Sequence, residues 1–453
     1  MFDKIIESYK DDIINVTSEL IKFPSVSEES NSKENPFGTN CTNALNYILD
    51  LASSLGFRTK NIDNYAGYIE FGSGEEMVGI IGHLDVVPAL EEDGWTTPPF
   101  EPCIRDGKLF GRGSIDDKGP VVASLYAMKA IMDNANVSKT VRLILGLNEE
   151  KGWKCIDYYK EVERWPDIGF SPDANFPGIY AEKGIMSLAI SHPLSIKDFE
   201  IIEIDCKQNA INVVPKYVSI TLKNTLRKEL PLSENINITN LDNSLIKIES
   251  FGTASHAAHP KLGKNAIENL IKYLITNFEF DSNILKSLYD NGLFDITSPR
   301  FMNENKIEDE SGVLTSNVAA FEFNNGIITF KINLRVPVTY NLNEILNSYN
   351  NFQNEYPEFN TNLLSIQEPL YIEKDSYLVN TLVNIFNSKT SQNAKPIAIG
   401  GGTYARAFNN CISYGLTMPG DKDMCHQVDE FVKIDNLILG SKIYAEAIYE
   451  LAK

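Results

Sequence analysis

The order of patterns along the chain predicts an α/β fold with a mostly parallel central sheet, interrupted by an inserted α+β domain. Three observations carry this. Up to about residue 186, short apolar strands alternate with amphipathic helices. After about Gly184 the texture changes to alternating strand runs rich in Asn, Ile, Lys and Ser. From about residue 376 the first style returns. The chain therefore divides into 1–186, 187–375 and 376–453, with the middle piece set into a split domain. A length of 453 residues agrees, since one hydrophobic core rarely spans so many.

Residues 3–22 carry Ile5, Ile6, Ile13, Ile14, Leu20 and Ile21 at helical spacing, and Pro24 ends that helix. A second helix is expected over 39–55, closing near Gly56. "AGYIEFG" and "MVGIIGH" read as strands. A long turn-rich segment, "GWTTPPFEPCIRDGKLFGRGSIDDKG", follows them. "PVVASLYAMKAIMDN" is a helix with Pro120 near its first turn, and "TVRLILGLN" is a buried strand. "IGFSPDANFP" holds another short strand and a turn. In the middle piece, "KYVSITLKN", "LIKIESFG" and "GIITFKINLRVP" alternate as strands, with helices expected at 264–277 and 342–352. The last piece holds a helix, the run "PIAIGGGTYARAF" and a closing helix over 434–451.

A net charge of −20 repels phosphate backbones and argues against a nucleic-acid partner. No run of about 18 apolar residues occurs, so no membrane span is expected. Acidic residues stand near the start without an apolar stretch behind them, which argues against a secretory signal. The six cysteines form no C-x-x-C pair and suggest no disulfide framework, so a reduced cytoplasm fits.

Chemistry-bearing residues gather after the strands of the α/β part. In "IIGHLDVVP", His83 and Asp85 stand two apart, so in an extended chain the carboxylate can reach the ring and leave the other nitrogen for a metal. Asp116 and Asp117 in "SIDDKG" precede a helix, where an aspartate alone reads as an N-cap. Glu149 and Glu150 leave a core strand, where two carboxylates need a cation or a proton. Asp173 follows another strand, and His426 lies in the returning part. Such positions, outside the carboxyl ends of sheet strands, are where α/β sites form. Two histidines and several carboxylates make a hard site that suits Zn2+, or Mn2+ or Co2+. There are enough ligands for two divalent ions sharing one carboxylate.

The pieces "GHLDVVP", "GWTTPPFEP", "GRGSIDDKG", "NEEKG", "SPDANFP", "GTASHAAHPKLGKNA", "LRVP" and "MCHQVDE" stand in this order along almost the whole chain. In that order the chain resembles the co-catalytic zinc metallopeptidase and aminoacylase family. "GGGTYARAF" and the long insert resemble the bacterial dipeptidases of that family. The resemblance implies a zinc-peptidase-like catalytic domain with an inserted lid that closes over the metals. It implies His83, Asp116, Glu150, Asp173 and His426 as metal ligands, with Asp116 bridging. Asp85 orients His83, Glu149 is the general base, and His256 in the insert grips the oxyanion. Asn212 and Arg335 bind substrate, Arg335 through a free carboxylate. Gly401 and Thr403 line the substrate pocket by the same likeness, or else form a tight strand-to-helix turn. His259 is expected to be structural or exposed, and His192 a surface residue. A monomer cleaving small peptides is implied. Two alternatives stay open at this stage. One is an aminoacylase, deacylase or carboxypeptidase acting on other N-acyl amino acids. The other is a metal-bound binding protein without turnover.

Overall fold

The computed structural model describes residues 1–207, 210–224, 229–242, 244–297 and 306–453. The chain divides into two compact units. The first holds Met1–Tyr180, Tyr371–Ile397 and Thr403–Lys453, and the second holds Ala181–Leu370 and Ala398–Gly402. The limits drawn from sequence at 186 and 375 fall a few residues past these divisions. The short return of 398–402 to the second unit leaves no mark in the sequence pattern.

In the first unit, Arg58–Ile62, Ala66–Phe71, Thr140–Gly146, Met77–His83, Ile168–Ser171 and Cys411–Ser413 lie side by side in that order. Met77–His83 runs parallel to both of its neighbours, and Cys411–Ser413 runs parallel to Ile168–Ser171. The first two strands add an antiparallel flank. Met77–His83 and Thr140–Gly146 are buried at every residue. That is why both read as unbroken apolar runs, as strands covered on two faces do. Helices Lys118–Asn134 and Ile434–Ala452 pack together, and both contact Met77–His83. The expected helix over 3–22 is two helices, Asp3–Ser8 and Lys10–Ile21, parted at Tyr9. The Tyr9 ring lies against Tyr126 at 5.5 Å.

The second unit carries two antiparallel four-stranded sheets. One orders Thr315–Asn324, Ile327–Val336, Gly184–Pro193 and Asn360–Gln367, and the other Glu200–Asp205, Tyr217–Lys223, Leu245–Phe251 and Ile236–Asn240. Helix Ala266–Asn277 packs on the second sheet, and Leu342–Glu355 packs beside Asn360–Gln367. Asn265 and Asn341 cap these helices, each side chain accepting the N–H two residues on. One apolar cluster runs from Met186 and Leu188 through Ile248 and Leu270 to Leu334. His192, expected at the surface, is buried with its ring edge-on to Phe359. Strand Gly184–Pro193 has a neighbour on both sides, so even its penultimate residue is covered.

No described helix is long and apolar enough to cross a membrane.

Candidate metal centre

Three parallel strands of the first unit deliver the site at their carboxyl ends. His83 is the last residue of Met77–His83, Glu149 and Glu150 follow Thr140–Gly146, and Asp173 follows Ile168–Ser171. Asp116 ends the loop before helix Lys118–Asn134, and His426 stands in a turn before the closing strand and helix. The His426 backbone has φ 64°, a left-handed conformation that histidine adopts more readily than most side chains.

The donor atoms form two sets. His83 Nε2 lies 3.2 Å from Asp116 Oδ1 and 3.5 Å from Asp173 Oδ2. His426 Nε2 lies 3.0 Å from Asp116 Oδ2 and 3.1 Å from Glu150 Oε1. Asp116 thus offers one oxygen to each set, the arrangement of a shared carboxylate between two cations. His83 Nε2 is buried and has no hydrogen-bond partner among the described residues. A buried, orphaned ring nitrogen facing two carboxylates fits a metal ligand, since buried polar atoms are otherwise satisfied. The nitrogen-and-carboxylate donors suit a divalent ion of the zinc or manganese type.

The electrostatics point the same way. Burial disfavours a charged His83, but Asp116, Asp173 and Asp85 outweigh it and hold its pKa well above the usual imidazole range. Burial likewise opposes the charge on His426, yet Asp116 and Glu150 raise it to about 11. Glu149 is pushed well up by burial, with Asp173, Glu150 and Asp85 adding to the effect. Burial and Asp116 raise both Glu150 and Asp173. Several carboxylates crowded into a dry pocket call for positive charge, and protons and cations compete to supply it.

Asp85 meets the His83 ring through two of its groups. Its carboxylate is 3.5 Å from His83 Nδ1, while its backbone carbonyl accepts from that nitrogen at 2.9 Å. The carboxylate also accepts the N–H groups of Glu149 and Glu150, at 3.0 and 3.1 Å. Asp85 therefore touches the ring through main chain and side chain and braces the glutamate turn through its carboxylate. The N-cap reading of Asp117 is corrected. It stands at the N-cap position, but its side chain makes no capping bond and accepts the His83 N–H at 3.0 Å. Gly82 leaves room for this, because a Cβ there would lie 2.5 Å from Asp117 Oδ2.

Two further side chains carried no signal beyond their letters. Trp153 Nε1 donates to Glu149 Oε1 at 3.2 Å, and its ring lies edge-on to Tyr404 at 5.2 Å. The backbone of Trp153 has φ 66°, rare and strained for so bulky a residue. Glu430 is buried among the amides of the Asp116 loop, where burial and Asp116 raise its pKa to about 7 against the pull of Arg112.

The second unit brings His256 and Asn212 together. Val213 and His256 form a bridge, and the Ala257 N–H donates to the Asn212 carbonyl at 2.8 Å. His256 Nδ1 accepts the Ala258 N–H at 3.2 Å, so a neutral ring carries its proton on Nε2. Partial burial, Arg335 and His259 hold the ring's pKa below the usual value and favour that neutral form. His259 is exposed. Arg335 is buried, with Nε donating to Asn333 Oδ1 at 2.9 Å and Nη1 to the Gly400 carbonyl at 3.0 Å. Gly401 follows within the second unit, and Thr403 begins the next stretch of the first. The Thr403 side chain accepts the Ala405 N–H and caps a short 3-10 turn over Tyr404–Ala407.

Known proteins resemble the chain in sequence and in fold. The model of "Peptidase family M20/M25/M40" matches residues 79–450. The chain is 34% identical over 468 residues to a Bacillus subtilis (strain 168) protein named "Putative dipeptidase YtjP", covering 98% of each. It is 32% identical over 467 residues to a "Putative dipeptidase" of Staphylococcus epidermidis, covering 99% of this chain and 98% of that one. Among solved structures, human carnosine dipeptidase 1 superposes with a TM-score of 0.62 at 17% identity, over 99% of this chain and 98% of that one. At that identity the likeness speaks for the fold alone. With a matching family model over most of its length, full-length relatives, and two donor sets joined at Asp116, the chain belongs to peptidase family M20/M25/M40.

Proposed function

We propose that the chain is a two-metal dipeptidase, hydrolysing the amide bond of small peptides that carry a free carboxylate. The observation that carries this is the pair of donor sets sharing Asp116, with Glu149 held beside them. The names of the full-length relatives support the substrate class. His83, Asp116 and Asp173 would hold one cation, and Asp116, Glu150 and His426 the other, a mixed imidazole-and-carboxylate set that Zn2+ takes, as do Mn2+ and Co2+. Bound there, two divalent ions lower the pKa of a water toward neutrality and polarise the scissile carbonyl.

Glu149 takes the proton of the attacking water and returns it to the leaving amine. Its Oε1 is held by Trp153, which leaves Oε2 for the transfer. His256, neutral with its proton on Nε2, donates to the developing oxyanion, and Asn212 beside it adds a second donor. Arg335 answers the substrate carboxylate and, through the Gly400 carbonyl, holds the glycine run in place. Gly401 and Thr403 line the substrate pocket. The chain works as a monomer in the cytoplasm, a setting that fits a sequence without any C-x-x-C pair.

The test is a substrate survey of the zinc-loaded protein, with dipeptides set against N-acetyl and N-succinyl amino acids. Dipeptide turnover with a higher kcat/KM is expected. Turnover of only the acylated amino acids would reassign the enzyme, and no turnover of either class would contradict the reading.

A further inference from the structure

The segments "GWTTPPFEP" and "GRGSIDDKG" and the acidic pair Asp429–Glu430 take no part in the reaction just described, apart from Asp116. The structure ties them into one assembly. Glu430 is fully buried, and its Oε1 accepts the N–H groups of Gly113, Ile115 and Asp116 at 3.0, 3.0 and 3.3 Å. Its Oε2 accepts from Arg112 Nη1 at 2.6 Å, and its backbone carbonyl accepts the Gly111 N–H at 3.0 Å. Asp429 reaches the other segment, accepting the Thr96 N–H at 2.8 Å and the Thr96 hydroxyl at 2.5 Å. Arg112 closes the ring, its N–H donating to the Pro99 carbonyl at 2.8 Å and its guanidinium lying 5.2 Å from the Trp95 ring.

The loop gathered in this way ends at Asp116, and the turn that gathers it begins at His426. These two residues face each other at 3.0 Å in the same donor set. We propose that Glu430 is a positioning residue of the metal centre: its carboxylate locks the 111–116 loop to the 426–430 turn and so sets the spacing between Asp116 and His426. The inference rests on reading those two residues as metal ligands. A buried charge pair adds little stability over apolar residues of the same volume. An apolar side chain, however, could not collect three amides of one loop. Groups that hold metal ligands in this manner typically change metal affinity 10–100-fold when altered.

The experiment is calorimetric titration of the metal-free protein with Zn2+, with dipeptide kinetics and the metal-free unfolding midpoint measured alongside. Two variants are compared with the wild type. Glu430→Gln keeps the shape but loses the charge facing Arg112. Arg112→Lys keeps the charge but loses the guanidinium fork, and it serves if the first variant does not fold. In either folded variant, at least one Zn2+ should bind about 10–100-fold more weakly, and kcat should fall with KM held. Wild-type affinity for two Zn2+ with unchanged kcat overturns the inference. So does a lowered unfolding midpoint with unchanged affinity, which would make Glu430 a structural brace only. A wild-type chain that binds no Zn2+ overturns the proposed function itself, and this inference with it.

Discussion

Glu149 is the residue on which the proposed chemistry turns. Its neighbours fix both its main chain, through Asp85, and one carboxylate oxygen, through Trp153. Glu149→Gln keeps the shape and removes the base. Steady-state kinetics should show kcat down about 10²–10⁴-fold, with zinc content unchanged. Asp85→Asn tests the brace that this side chain gives the glutamate turn. An amide can accept one of the two glutamate N–H groups but presents its own donor to the other, and such an orphaned group costs about 1–3 kcal/mol. Urea denaturation should show a stability loss of that order, with reduced kcat. Much of the site is legible from residue types alone. Histidine and carboxylates after strands of one sheet are costly to bury without a shared purpose, and His83, Asp116, Glu150, Asp173 and His426 do converge. What spacing cannot reveal is which atom of a residue acts. Asp85 faces the ring with its carbonyl, and Asp117 looks backward to His83 rather than forward along its helix.

Helix Lys118–Asn134 opens with a buried lysine. Lys118 Nζ donates to the Phe23 carbonyl at 2.7 Å, just beyond helix Lys10–Ile21, and burial lowers its pKa to about 7. The unfolded chain holds that proton up to the ordinary lysine value, about 10.4. Between these pH values the unfolded state binds more protons, so this group's contribution to stability rises with pH and is lowest near and below pH 7. Lys118→Met removes the dependence. The denaturation midpoint of Lys118→Met relative to wild type should therefore be highest near pH 7 and fall toward pH 9.5. An offset that stays constant with pH would contradict the assignment. Strands with an unbroken apolar run, such as Met77–His83 and Thr140–Gly146, and helices with a clear period, such as Ile434–Ala452, were legible. The break at Tyr9 was not, because the apolar spacing runs on through it and only the local backbone turns. Helix Lys154–Val162 is short and follows a left-handed Trp153, which no periodicity announces.

Across the whole molecule, both donor sets found among the described residues lie in the first unit, and His256, Asn212 and Arg335 lie in the second. Ligand binding stabilises what it touches, by roughly 2.7 kcal/mol at a hundredfold excess over Kd. Chelation should therefore raise hydrogen exchange in loops 111–117 and 147–153 and leave strands Tyr217–Lys223 and Leu245–Phe251 of the second unit unchanged. Equal deprotection of both units would contradict that division. The change of texture near residue 184 made two units visible in the sequence, since an antiparallel sheet with one open face alternates where a buried parallel sheet does not. The return of 398–402 to the second unit stayed hidden, because it is held by main-chain and arginine contacts, such as Arg335 to the Gly400 carbonyl, that leave no hydrophobic pattern.

The central claim is that one carboxylate, Asp116, joins two cations. The most direct measurement is metal content per chain by elemental mass spectrometry, on zinc-loaded protein dialysed free of excess ion, for wild type and His426→Ala. Two zinc ions in the wild type and one in the variant are the predicted result. A wild type with one ion or none, or a variant that still holds two, would contradict the account.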